Sequence, residues 1–305
     1  MGLRSILIHF AFAAALLTAP LAQAAETLDG TPRIAVISAF PPEWVALQQD
    51  LTELKEHSIN GRTFLTGKLA GKDVVMFLSG VSMVNAAMTT QSALDQFVIT
   101  SVVFSGIAGG VDPALNIGDV VIADQWGQYL EAIFARKTAD GFVIPPFFSQ
   151  EFPGYGMIVP KSVNVTKSGG TEEESRFWFP TDPALLEASR KVAARIDLRD
   201  CVEANKCLST PPKIVVGGNG VSGQAFVDNA EFRKYVQETF EAKVLDMESA
   251  AVAHVTYSNG VPFLAVRSLS DLAGGGEGAN EMAIFMALAS ANSAAVVKAL
   301  LAEMP

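Results

Sequence analysis

Apolar residues along this 305-residue chain recur with two rhythms, and the changes between them mark its elements. Nearly unbroken apolar runs fall at Arg33–Ala39 (RIAVISA), Ser101–Ser105, Asp119–Ala123, Lys213–Val216 and Pro262–Val266. Short runs rich in Val and Ile read as strands buried on both faces. Val244-Leu245 is a shorter piece of the same kind. Between them the spacing turns helical: from Pro41 through Leu54, over Gly80–Asp95, over Met247–Tyr257, and over Glu281–Ala302 as an amphipathic helix. Pro41-Pro42 suits a first helical turn. Ser258-Asn259-Gly260 supplies a left-handed stop. Thr63–Leu69 and Asp73–Ser79 form a predicted hairpin about Ala70-Gly71-Lys72. Strands alternating with helices predict the α/β class.

The rhythm dissolves between residues 124 and 212. Pro145-Pro146-Phe147-Phe148, Phe152–Gly156 and Ser168-Gly169-Gly170 read as loops with aromatic anchors, and only Thr181–Ile196 is helical, capped by Thr181 or Asp182. Such a stretch inside a compact domain reads as an irregular insertion. No repeat and no second domain are apparent. Two glycine runs follow strands. Gly106–Gly110 would let backbone amides approach a ligand. Gly218–Gly223 matches G-x-G-x-x-G, with Asp246 further on as a dinucleotide fold requires. No helix opens within those glycines to receive a pyrophosphate, and a cap appears only at Asp228-Asn229. An NAD enzyme is therefore the weakest of the readings, and no cofactor is expected.

The start of the chain reads as a signal peptide over residues 1–24. Arg4 gives the positive end, Ile6–Leu17 the apolar stretch, and Ala22-Gln23-Ala24 the cleavage site. The predicted mature chain, residues 25–305, is periplasmic or secreted. No later run reads as long and apolar enough to cross a bilayer. The net charge of -10 falls by one more when Arg4 leaves, which argues against nucleic acid as a partner. Half the residues are hydrophobic, enough for a sizeable core. Cys201 and Cys207, six apart, could close a disulfide loop in an exported chain or stay free. His9, His57 and His254 are scattered, so a metal site has little support.

The carboxylates carry the candidate chemistry. Glu43 and Glu248 stand where strands hand over to helices, and Asp271 stands just past the end of a strand. Ligands of open α/β sheets collect at that edge. Carboxylates there could serve acid–base work or bind hydroxyls. Equally, Asp246 could be a helix cap and Asp271 an exposed loop acid.

Four segments together resemble the nucleoside phosphorylase/nucleosidase superfamily, and among its members the methylthioadenosine/S-adenosylhomocysteine nucleosidases. They are Ser38–Glu43, Ser105–Gly110 through Gly118-Asp119, Ser222–Val227, and Asp246-Met247-Glu248 through Arg267–Asp271. The resemblance implies a single-domain three-layer α/β/α fold with a central mixed twisted sheet. It implies an N-glycosidic bond hydrolase acting on 5′-modified adenosines, and a homo-oligomer. Residue by residue, Asp271 matches the acid that protonates purine N7, and Glu43 the group that activates water. Glu248 matches the carboxylate on the ribose hydroxyls, with Met247 packed on the sugar. Phe226 matches the ring stacked on the base, Val227 the backbone contact to its edge, and Arg267 a residue near the water. On the residues alone, Met247 and Phe226 are more often core, and Arg267 could be a structural ion-pair partner.

Two departures stand out. Ile107 replaces a serine that helps hold water and sugar in the nucleosidases. The 124–212 stretch, opening Trp126-Gly127-Gln128-Tyr129, looks more like the storage-protein branch, so a nucleoside-binding protein with little turnover is an alternative. A purine nucleoside phosphorylase is a further one. Phe40-Pro41-Pro42 and Ser105–Gly110 lack the arginines that phosphorylases use for phosphate, which favours hydrolysis.

Overall fold

A computed structural model of the chain describes residues 27–203 and 206–304, so the expected leader at 1–24 lies outside the described residues. The first half runs β1 (Asp29–Ser38), α1 (Pro41–Gln48), β2 (Thr52–Ile59), β3 (Arg62–Leu69), β4 (Lys72–Leu78), α2 (Met83–Gln96), β5 (Phe97–Gly110) and β6 (Val120–Ile122). The middle holds β7 (Gln125–Gln128), β8 (Ala132–Phe134), β9 (Arg136–Thr138), β10 (Gly141–Val143), β11 (Ile158–Pro160), β12 (Val163–Thr166), β13 (Glu173–Arg176), β14 (Trp178–Pro180), α3 (Pro183–Ala193), β15 (Cys201–Glu203) and β16 (Lys206–Cys207). The chain closes with β17 (Ile214–Val216), β18 (Asn219–Ser222), α4 (Ala230–Phe240), β19 (Ala242–Asp246), α5 (Ser249–Asn259), β20 (Phe263–Asp271) and α6 (Met282–Glu303).

Twelve strands form one mixed sheet, with a path β14-β7-β18-β19-β5-β1-β4-β3-β2 and with β20, β6 and β17 branching from β5. Side chains alternate across it, as period two demands. Ala35, Ile37, Val75 and Phe77 pack with α2 and α5 on one face; Ile34, Val36, Val74 and Met76 pack with α1, α3 and α6 on the other. This is the mixed sheet between helices that the resemblance implies.

Several elements differ from the sequence reading. The helix from Pro41 stops at Gln48, and residues 52–59 are a strand at the sheet edge with nearly every side chain exposed. The run Gly106–Gly110 does not follow the strand but continues it, as the buried end of β5. Residues 124–212 are less irregular than expected. β7 and β14 belong to the main sheet, and four two-stranded ribbons fill the remainder beside α3. Asp182, not Thr181, caps α3, accepting from the Ala184 and Leu185 amides at 2.9 and 3.1 Å. In one ribbon Cys201 faces Cys207 and their sulfurs are bonded. Finally, α6 is long and apolar enough to cross a bilayer, contrary to the expectation for the chain after its leader. It is a core helix: Leu288, Ala289, Ala294, Val297 and Leu301 are buried where it packs on β5 and β20.

Candidate active site

The site begins where β5 changes partners. Up to Phe104 it pairs with β1; at Gly109 and Gly110 the same edge pairs with β19, running the opposite way. No described strand pairs with Ser105–Ala108 on that edge. Sheet edges left open at such a switch are where α/β folds bind ligands. A cavity of about 230 Å³ opens there, walled by Glu43, Ile107, Phe226, Val227, Met247, Glu248 and Asp271 among others. Among the described residues, no arginine or lysine lines it.

Glu43 is delivered by the first turn of α1, which Pro41 and Pro42 start. Its carboxylate reaches back to the Ala39 and Phe40 amides (2.6 and 3.3 Å) and across to the unpaired Ile107 amide of β5 (2.8 Å). Burial pushes its pKa up, and Arg267 and the three amides hold it back. Glu248 stands at the start of α5 and accepts from the Ser82 amide at 2.8 Å. Burial raises its carboxyl to about 7; Arg267 works against this, and the negative charge of neighbouring Asp246 adds to it.

Arg267 joins the acids from behind. It is wholly buried on β20, with Nε 2.7 Å from Asp246, Nη1 3.8 Å from Glu43 and Nη2 3.6 Å from Glu248. Its guanidinium lies over the Phe104 ring at 4.1 Å. Only glycine at 106 admits this arrangement: a Cβ there would sit 2.1 Å from Arg267 Nη1 and 2.6 Å from Glu43 Oε1. One cation thus offsets three buried acids, which would otherwise be costly to ionise together.

Asp271 ends β20 and lines the same cavity. Its carboxyl accepts from the Ala273 amide (2.8 Å) and the Ser270 hydroxyl (2.9 Å). Burial raises its pKa above the ordinary carboxylate range, with those hydrogen bonds pulling the other way. Phe226 leaves its ring 58% exposed at the mouth, and Val227 behind it is buried.

The structure therefore brings seven of the eight sequence-predicted site residues to one cavity. Arg267 is the exception: it touches the carboxylates through the wall and does not line the space. Its fully buried strand offered no alternation from which to read a direction. Asp271 is no exposed loop acid, being only 5% exposed, and Phe226 is not core. Asp246 is not the N-cap of α5, which is Glu248; it ends β19 two residues earlier and accepts from the Glu248 and Ser249 amides, both at 3.1 Å, while also pairing with Arg267. The Gly218–Gly223 run holds a strand, and α4 opens only after the Asn229 cap, so it forms no phosphate cradle. The sequence reading missed Val81 and Met282, which also line the cavity, and the Ser82 amide. The strand-to-helix joint at Gly80–Ser82 was the available signal for Val81 and Ser82; Met282 opens α6, far from it in the chain.

Known proteins resemble this chain over most of its length. The sequence profile of the Phosphorylase superfamily matches residues 33–302. A 5′-methylthioadenosine/S-adenosylhomocysteine nucleosidase of Marinomonas sp. is 31% identical over 88% of this chain and 97% of its own. One of Tolumonas auensis is 28% identical over 89% and 100%. The crystal structure of the Neisseria meningitidis nucleosidase in complex with methylthio-immucillin-A superposes with a TM-score of 0.66 at 26% identity, covering 89% of this chain and 99% of that one.

Proposed function

The chain belongs to the phosphorylase superfamily, and within it we propose an N-glycosidic bond hydrolase that releases adenine from 5′-modified adenosines such as methylthioadenosine and S-adenosylhomocysteine. The observation that carries this reading is the placing of an acid with a raised pKa, Asp271, in one cavity with two buried carboxylates, Glu43 and Glu248. Cleaving the bond leaves positive charge on the sugar and negative charge on the base. Asp271, protonated, gives its proton to purine N7 as the C–N bond breaks. Glu43 takes a proton from the water that attacks the sugar carbon. Glu248 holds the ribose hydroxyls, with Met247 on the sugar and the Phe226 ring on the base. Arg267 positions the carboxylates from behind. A wall without arginine or lysine supports hydrolysis over phosphorolysis.

The second reading, a nucleoside-binding protein with little turnover, is favoured by one residue. Ile107 puts a buried apolar side chain on the wall beside Glu43, where only its backbone amide is polar. Asp271→Asn separates the two. It keeps shape and hydrogen-bonding reach but cannot supply the proton. Turnover should fall roughly 10²–10⁴-fold, with substrate affinity reduced far less. Wild-type affinity without any turnover would instead favour the binding protein.

The proposal extends to an exported homo-oligomer without a cofactor. The leader pattern and the Cys201–Cys207 bridge support export. The apolar side chains of Val84 and Met88 on α2, 58% and 59% exposed, support self-association.

A further inference from the structure

The nucleoside cavity shares a wall with a second space that the proposed chemistry leaves unused. Ala39, Phe40 and Val81 line both. Val81 precedes Ser82, whose amide holds Glu248, so the shared wall lies beside the carboxylate assigned to the sugar. Beyond it is an open groove of about 680 Å³ whose walls include Trp44, Leu65 and Leu78, with Arg62 and Glu56 as its charged groups.

Arg62 is half-buried at the start of β3. Nη1 donates to the Ser79 carbonyl at 3.2 Å and Nη2 to Asn85 Oδ1 at 3.1 Å, which fixes the plane of the guanidinium. Two of five N–H donors are spent, leaving three. Neither Arg62 nor Glu56 forms an ion pair with any described residue; Glu56, on the neighbouring strand β2, accepts only a long bond from Thr63 Oγ1. Gly80, at φ +80°, brings the backbone so close that a Cβ would lie 3.2 Å from Arg62 Nη1. A held cation and a nearby anion in an apolar-walled groove suit a zwitterion, the one receiving its carboxylate and the other its ammonium.

We propose that this groove is a subsite for the amino-acid end of a 5′-substituent, with Arg62 binding the α-carboxylate and Glu56 the α-ammonium group. The inference rests on the nucleosidase reading for the orientation of the nucleoside, base toward Asp271 and 5′ end toward Val81. It makes S-adenosylhomocysteine, not methylthioadenosine, the substrate for which the site is complete.

The test compares two ligands whose tails are similar in reach and differ in charge: S-adenosylhomocysteine and 5′-butylthioadenosine. Affinities are measured by calorimetry on the full-length protein in the Asp271→Asn background, where the proposed hydrolysis of both ligands is slowed roughly 10²–10⁴-fold. Charge-assisted contacts predict a preference for S-adenosylhomocysteine of about ten- to a hundredfold. That preference should shrink as salt is raised, be largely lost in Arg62→Met, and fall less in Arg62→Lys. Equal affinity for the two ligands, a preference indifferent to salt, or a full preference retained by folded Arg62→Met would overturn it. The ligand comparison with Arg62 intact decides the matter even if the Met variant does not fold. Adenine release from methylthioadenosine by the wild type is scored separately. Its absence would overturn the hydrolase reading, while the affinity ratio would still decide what the groove binds.

Discussion

At the scale of single residues, the site is a problem in crowding acids. Glu43, Asp246 and Glu248 surround Arg267, all nearly inaccessible. The pairing lets the carboxylates exist in the interior, and burial still leaves Glu248 with a pKa of about 7 against an ordinary 4.5. The sign of the consequence follows from linkage. A group whose folded pKa is raised contributes stability that is complete below its unfolded pKa and lost as pH rises through the folded one. For Glu248 the loss runs from about pH 4.5 to above 7, and by the size of the shift is at most roughly 3 kcal/mol. Glu248→Gln removes this titration. Its melting temperature should therefore fall less than that of the wild type between pH 5 and 8; parallel declines by calorimetry would mean that Glu248 is already ionised at pH 5. These acids were legible in the sequence because each stands at a joint between strand and helix. The direction of Arg267 was not, because every residue of β20 is buried and the strand shows no polar face.

At the scale of elements, the long strand β5 decides where chemistry can happen. Its edge is covered by β1, then bare over four residues, then covered by β19. The bare amide of Ile107 binds Glu43, and Gly106 leaves room for Arg267. Gly106→Ala should destabilise the fold by about 1–3 kcal/mol, the usual cost of overpacking, and abolish turnover by pushing Arg267 from Glu43. A denaturant midpoint within error of wild type would show that the wall yields more easily than its geometry suggests. The sequence showed β1, β4, α2, α5 and β20 through their apolar rhythm. It hid β2, whose TELKEHSI is exposed on both faces and has no period of two. It disguised the end of β5, because a run rich in glycine reads as a loop when its burial comes from neighbouring strands. The ribbons of the 124–212 stretch were hidden for a third reason: strands of three or four residues are too short to display any period.

For the whole molecule, the fold class and the family were legible because four separated segments, in order, build one cavity. What lies outside a single chain was not: the leader is read from pattern alone, and the exposed apolar face of α2 says only that something covers it. Native mass spectrometry of secreted material addresses both. The expected species is an oligomer of chains beginning at Ala25, each gaining two protons on reduction as the Cys201–Cys207 bridge opens. A monomer that retains Met1 would remove both proposals. The most direct test of the central claim is product analysis with methylthioadenosine, in buffer free of phosphate and in buffer containing it. Hydrolysis at this site predicts adenine and the free methylthio-sugar, at the same rate in both. Adenine that appears only with phosphate, alongside sugar 1-phosphate, would contradict it.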